Sequence, residues 1–150
     1  MDYIDFNKKG FQSQHSINSG LFNLFMDYQK ILDAIFALNN DIRYAGLIDE
    51  TGILIAGGMR HGIDSIVDQP SEELYLTHTA LRKSMRERFD DTMGQARFVY
   101  VEREKLSLLT FYLDKKMLLV TLEPSLDSHV IMDLAEDILD IFSGNKITAQ

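Results

Sequence analysis

Chemistry in this chain, if there is any, would fall to a few polar clusters. The densest is Gly57-Gly58-Met59-Arg60-His61-Gly62, with three glycines in six residues. Glycine lets a backbone approach a ligand closely. Arg60 could hold an anion there, and His61 could exchange a proton near neutral pH. The spacing is neither Gly-x-Gly-x-x-Gly nor a loop ending in Gly-Lys-Ser/Thr. The first reading of Gly57–Gly62 is therefore a pliable exit from an edge strand. The second is the rim of a small-molecule or anion-sensing pocket, with Arg60 and His61 as ligand contacts. The third is an enzyme that uses Arg60, His61 and a nearby acid.

The other polar groups offer less. The histidines are His15, His61, His78 and His129, and no pair has the His-x-x-x-His spacing of a metal-binding helix. A zinc site would need His61, His78 and a carboxylate to converge. The chain has no cysteine, which removes thiolate nucleophiles, disulfides and Cys-based metal sites. Ser84 and Ser107 lie in no Gly-x-Ser-x-Gly elbow. Asp49 and Glu50 read as turn residues, and Asp127 and Ser128 as helix caps. No catalytic, cofactor-binding or metal-binding residue is assigned, and no cofactor is expected.

One charged cluster stands out. Arg82, Lys83, Arg86 and Arg88 lie together in a chain whose formal net charge is -8. The overall negative sign argues against nucleic acid as a partner. The cluster reads as solvated helix surface or as a patch for an acidic protein partner.

These groups must be carried by one domain. The chain has 150 residues, enough for a single core. No segment approaches the roughly 18 apolar residues of a membrane helix, and the N-terminus has no apolar run of signal-peptide length. A cytoplasmic protein is expected. The divisions expected are a partly ordered arm over residues 1–16, one domain over 17–144 and a tail over 145–150.

Hydrophobic periodicity supplies the elements. Leu21, Leu24, Phe25, Tyr28, Ile31, Leu32, Ile35 and Leu38 recur at helical spacing behind a cap at Ser16 or Ser19. Tyr44–Ile48 and Ile53–Ala56 read as strands around the turn Asp49-Glu50-Thr51-Gly52. Pro70 and Ser71 announce a second helix, with Glu72 and Glu73 in its first turn. Its narrow apolar stripe is Leu74, His78, Leu81, Met85 and Phe89, so His78 is expected in a core or an interface. Ala96–Val101, Leu106–Leu113 and Met117–Leu122 follow as strands. Phe98 and Tyr100 should face one side of the sheet, and Val99 and Val101 the other. A last helix starts at Asp127 or Ser128 and ends at Gly144. Short links between strands favour antiparallel pairing. The expectation is an α/β domain of the α+β type. Its order is helix-strand-strand-helix-strand-strand-strand-helix, with one five-stranded antiparallel sheet and helices on both faces.

That order resembles the Roadblock/LC7-like fold, kin to profilin-like domains. The strand end Leu54-Ile55-Ala56-Gly57-Gly58, the run Ala80-Leu81-Arg82-Lys83-Ser84-Met85-Arg86 and the segment Tyr100-Val101-Glu102-Arg103-Glu104-Lys105 also resemble an uncharacterised family of small archaeal proteins. The Roadblock resemblance implies that the first and last helices cover one sheet face and the middle helix the other. It also implies a homodimer joined through the middle helix and third strand, here about Glu72–Phe89 and Ala96–Val101. The interface residues would be Leu74, His78, Leu81, Met85, Phe98, Val99, Tyr100 and Val101. A bare third strand rich in Val, Phe and Tyr would be hazardous unpaired. The function implied is a non-catalytic interaction or regulatory module, with a small GTPase among the partner classes.

Overall fold

The computed structural model describes residue 20 and residues 27–143. The expected arm, the caps at Ser16 or Ser19, His15, the Gly144 helix end and the tail all lie outside those residues. Helix α1 is described over residues 27–38. Strands β1 (Ile42–Asp49) and β2 (Leu54–Met59) follow, then helix α2 (Gln69–Glu87) and a single helical turn, α3 (Asp90–Met93). Strands β3 (Phe98–Glu102), β4 (Ser107–Leu113) and β5 (Lys116–Leu122) lead to helix α4 (Ser128–Phe142). The strands form one sheet in the order β2-β1-β5-β4-β3, and every neighbouring pair is antiparallel. This is the α+β order expected from the sequence, with α3 as an added turn.

The alternation of side chains along each strand divides the core into two layers. On one face, Ile31, Leu32 and Ile35 of α1 and Ile131, Leu134 and Ile138 of α4 pack on Ile42, Leu109, Phe111, Leu118 and Val120. On the other face, Leu76 and Ala80 of α2 pack on Tyr44, Ile48, Leu108, Met117 and Leu119. One helix therefore covers the face that lies opposite two. Phe98 and Tyr100 of β3 join the two-helix layer, as their alternation predicts.

Local chemistry sets the ends. Asp49 turns the β1–β2 hairpin: its Oδ1 accepts from the Thr51 amide at 2.9 Å, the Thr51 hydroxyl at 2.7 Å and the Ile53 amide at 3.0 Å. Gly52 completes the turn with φ +93. Helix α2 begins ahead of Ser71, because the Asp68 side chain caps it and accepts from the Ser71 amide at 2.8 Å. Asp127 caps α4 by accepting from the His129 amide at 2.7 Å.

Strand β2 is longer than Ile53–Ala56. Gly57 and Gly58, read as part of a pliable exit, instead pair with Gly46 and Ala45. Gly57 has φ +97, and a Cβ there would come within 2.1 Å of the Ala45 carbonyl oxygen. Only glycine permits strands this close in that conformation. The β1–β2 register also shifts between Leu47 and Ile48. At the far side of the sheet, β3 pairs with β4 without interruption from Phe98 to Glu102.

Candidate functional site

Arg60 follows β2 directly, and its side chain is engaged through Nε and Nη2. Its Nε donates to the Ile42 carbonyl at 2.7 Å. Its Nη2 donates to the Phe36 carbonyl at 2.8 Å and the Asn39 carbonyl at 2.7 Å. The guanidinium also sits 5.0 Å from the centre of the Phe36 ring. The end of a helix leaves carbonyls without partners, and Arg60 supplies donors there for α1. Three of the five guanidinium N–H groups are therefore spent on backbone. His61 is exposed, just beyond the last strand pairing at Met59. Among the described residues no group of three or more His, Asp or Glu side chains is arranged to hold a metal ion.

Helix α2 is built differently from the sequence reading. Its sheet-facing residues are Leu76, Thr79, Ala80 and Lys83. The stripe of Leu74, His78, Leu81 and Met85 points away from the sheet, at helical positions opposite that buried set. Leu74, Leu81, Met85 and Phe89 are 55, 58, 57 and 58% exposed. His78 is exposed and is no core histidine. The reason is that the buried face is made of small or long side chains: Ala80 and Thr79 let the helix lie close to the sheet, and Lys83 packs its aliphatic stem.

Beside α2, the edge strand β3 leaves Val101 exposed and Val99 half-buried on the one-helix face. Phe98 and Tyr100 are half-buried on the other face. Among the described residues the stripe and the β3 edge are thus two uncovered apolar features.

The basic strip also divides. Lys83 is only 9% exposed and pairs with Glu87, so it is a structural ion pair and no part of an open patch. Arg82 lies over the Tyr75 ring, 5.3 Å from its centre, and donates to the Thr79 hydroxyl at 3.3 Å. Arg86 and Arg88 are exposed. The outward cations are thus Arg82, Arg86 and Arg88.

A cavity of about 710 Å³ lies under the first half of α2, and of the pocket rim expected at Gly57–Gly62 only Met59 lines it. The sheet floor, the loop carrying Ile66 and Val67, and the β3–β4 turn enclose it. Its walls are mostly apolar, and Tyr44 contributes to them. Tyr44 is 4% exposed, and its hydroxyl meets no hydrogen-bond partner among the described residues. Burial first, then the nearby Glu72 carboxylate, push the phenol well above its ordinary value. It is therefore a neutral donor. The only hint in the sequence was a tyrosine inside an otherwise apolar strand.

A second cleft, about 420 Å³, lies at the other end of α2 between Lys83, Glu87, Asp90 and Lys115. Its charges are mixed and Lys83 is already paired. No helix among the described residues is long and apolar enough to cross a membrane.

Comparison with known proteins bears on this architecture. No curated protein matches the chain. Among solved structures, the gliding protein MglB of Thermus thermophilus is similar, with TM-score 0.63 and 12% identity over 79% of this chain and 87% of that one. Myxococcus xanthus MglB is similar with TM-score 0.56 and 16% identity, over 80% and 90% of the two chains. Schizosaccharomyces pombe profilin is similar with TM-score 0.53 and 13% identity, over 77% and 95%. At such identities the likeness is one of fold, and it agrees with the Roadblock/LC7-like architecture. Residues 26–145 match a family described as a family of unknown function, DUF6659, and the chain belongs to that family.

Proposed function

We propose that this protein is a homodimeric interaction module that pairs through α2 and β3. The observation that carries the reading is the outward stripe of Leu74, Leu81, Met85 and Phe89, together with a regular edge strand β3 that pairs only with β4 among the described residues. A row of large apolar side chains left exposed along one helix face is the kind of surface that interaction sites use. A twofold pairing would bury the stripe against its own copy and satisfy the β3 backbone with a second β3. Charge is compatible with that geometry, because Glu87 answers Lys83 and Tyr75 receives Arg82, which leaves Arg86 and Arg88 as the unanswered cations near the axis.

The dimer would present a rigid surface to other proteins. The Roadblock resemblance makes a small GTPase the first partner class to try, and Arg82, Arg86 and Arg88 suit an acidic face on it. The test is the solution mass of the full chain by light scattering after size exclusion. Twice the chain mass is expected. Val101→Lys and Leu81→Lys should each give the single-chain mass with an unchanged circular dichroism spectrum. A single-chain mass for the unaltered protein, or a dimer that survives both substitutions, overturns the reading.

A further inference from the structure

The outward stripe of α2 carries one titratable side chain. His78 lies one turn beyond Leu74 and one turn before Leu81, and it is exposed as they are. Residues three and four apart share a helix face. A surface that covers Leu74, Leu81 and Met85 together therefore covers the imidazole between them.

The charges that flank this face are cationic. Arg82 lies one turn beyond His78, and Arg88 two turns beyond Leu81. The carboxylates of α2 are placed elsewhere. Glu72 lines the cavity on the sheet side, Glu73 accepts from the Gln69 side chain at 3.3 Å, and Glu87 is held by Lys83. Strand β3, the other element of the pairing, turns Val99 and Val101 to the face that α2 covers. Its Glu102 accepts from the Tyr100 hydroxyl at 3.1 Å, and Arg103 and Glu104 border the cavity. Past the end of α2, Asp90 borders the cleft that holds Lys83 and Lys115, and Asp91 is exposed. A second copy brings the same set. The imidazole would thus be covered by apolar side chains and guanidinium groups, with no carboxylate beside it.

We infer that His78 makes the pairing through α2 depend on pH: two copies join while both imidazoles are neutral and separate when they take up protons. The inference rests on the pairing proposed above and names its regulation. Imidazole is the side chain whose charge ordinarily changes between about pH 5 and 8. Covering it costs little when it is neutral and much when it is charged without an acid beside it. The dimer therefore holds fewer protons than two separate chains. Association is complete above the pH at which the imidazole of the free chain titrates, and is lost below it. The chain as a whole favours the reverse. Its net charge of -8 shrinks on acidification, which lessens repulsion between copies. Weakening in acid thus singles out a cation created inside the interface.

The test is sedimentation velocity on a dilution series of the full chain at about pH 7.5 and about pH 5.5, at constant ionic strength. The dimer dissociation constant should rise about a hundredfold between the two, about tenfold for each imidazole. His78→Gln keeps a polar side chain that suits a helix but takes up no proton. It should give a dimer of nearly the same constant at both pH values. His129→Gln, in α4 on the opposite face of the sheet, should keep the full step. Single chains in the unaltered protein at about pH 7.5 overturn the pairing itself and this inference with it. A dimer that holds or tightens in acid, or one whose weakening persists in His78→Gln, overturns the pH dependence and leaves the pairing standing.

Discussion

The Tyr44 ring lies over Gly46, two residues along the same strand, so closely that a Cβ on Gly46 would come within 2.4 Å of the phenolic oxygen. Residues two apart share a sheet face, and the missing side chain at 46 is what lets the ring lie flat beneath α2. Gly46→Ala should therefore act as overpacking and cost about 1–3 kcal/mol in denaturant unfolding. In a Tyr44→Leu background the same change should cost much less, because the two sites are coupled through one contact. Equal costs in both backgrounds would sever the link.

Tyr44→Phe should behave oppositely in stability. Removing an unpartnered buried hydroxyl while keeping the ring should leave the unfolding free energy unchanged or raise it by up to about 1 kcal/mol. Chemical denaturation without added ligand reads this directly. A clear loss would mean that the hydroxyl has a partner in solution.

Arg60 ties the end of α1 to the start of β1 through three carbonyls. Arg60→Lys keeps the charge but loses the planar fork. It should lower stability by about 1–3 kcal/mol, with little change between low and high salt, since the bonds are to backbone rather than to a carboxylate. A salt-sensitive loss would point instead to an ionic partner for Arg60.

Asp49 gives a pH signature. Burial works against its charge, but the Thr51 hydroxyl and the Ile53 and Thr51 amides outweigh it and hold the carboxyl below its ordinary 3.8. A carboxyl whose folded value is depressed stabilises the fold above the unfolded value and loses that contribution as pH falls through the folded one. The stability gap between the unaltered protein and Asp49→Ala should thus be steady at neutral pH and narrow below about pH 4. A gap that widens on acidification would contradict the hairpin geometry.

Lys83 is nearly buried, yet its partner Glu87 is half in solvent. Lys83→Met keeps the stem that packs on the sheet and leaves Glu87 hydrated, so unfolding should change by less than about 1 kcal/mol. A larger loss would show that the pair, rather than the stem, holds α2 in place.

The order of elements was legible because period-2 and period-3.6 patterns are written in single segments. Leu108–Phe111 and Ile131–Ile138 announce their own faces. Helix α2 misled on one point. Its most apolar stripe, Leu74, Leu81 and Met85, is the one left outside, and its buried face includes Thr79 and Lys83. Hydrophobicity marks a surface that wants covering, but not whether the cover comes from the same chain. The Gly57-Gly58 pair misled for a different reason. Glycine serves a loose loop and a close strand contact equally well, and only the position of the Ala45 carbonyl separates the two. The role of Arg60 was hidden because its acceptors are carbonyls of residues 18 to 24 positions earlier. The cavity depends on how far α2 stands from β4 and β5, which no local pattern encodes.

The two edges of the sheet are unequal. Strand β3 offers five regular positions, whereas β2 carries Gly57 and Gly58 at positive φ beside a register shift. Such irregularity twists a strand away from further pairing. In the language of assembly, a chain that joined copies through its sheet edges would have a valence of one. A sheet grown by joining copies edge to edge would close after two, while a chain with two regular edges could add units without limit. In such an assembly the distorted glycine pair would act as a terminator, and restoring a regular β2 edge is the change by which this fold would acquire the capacity to form filaments.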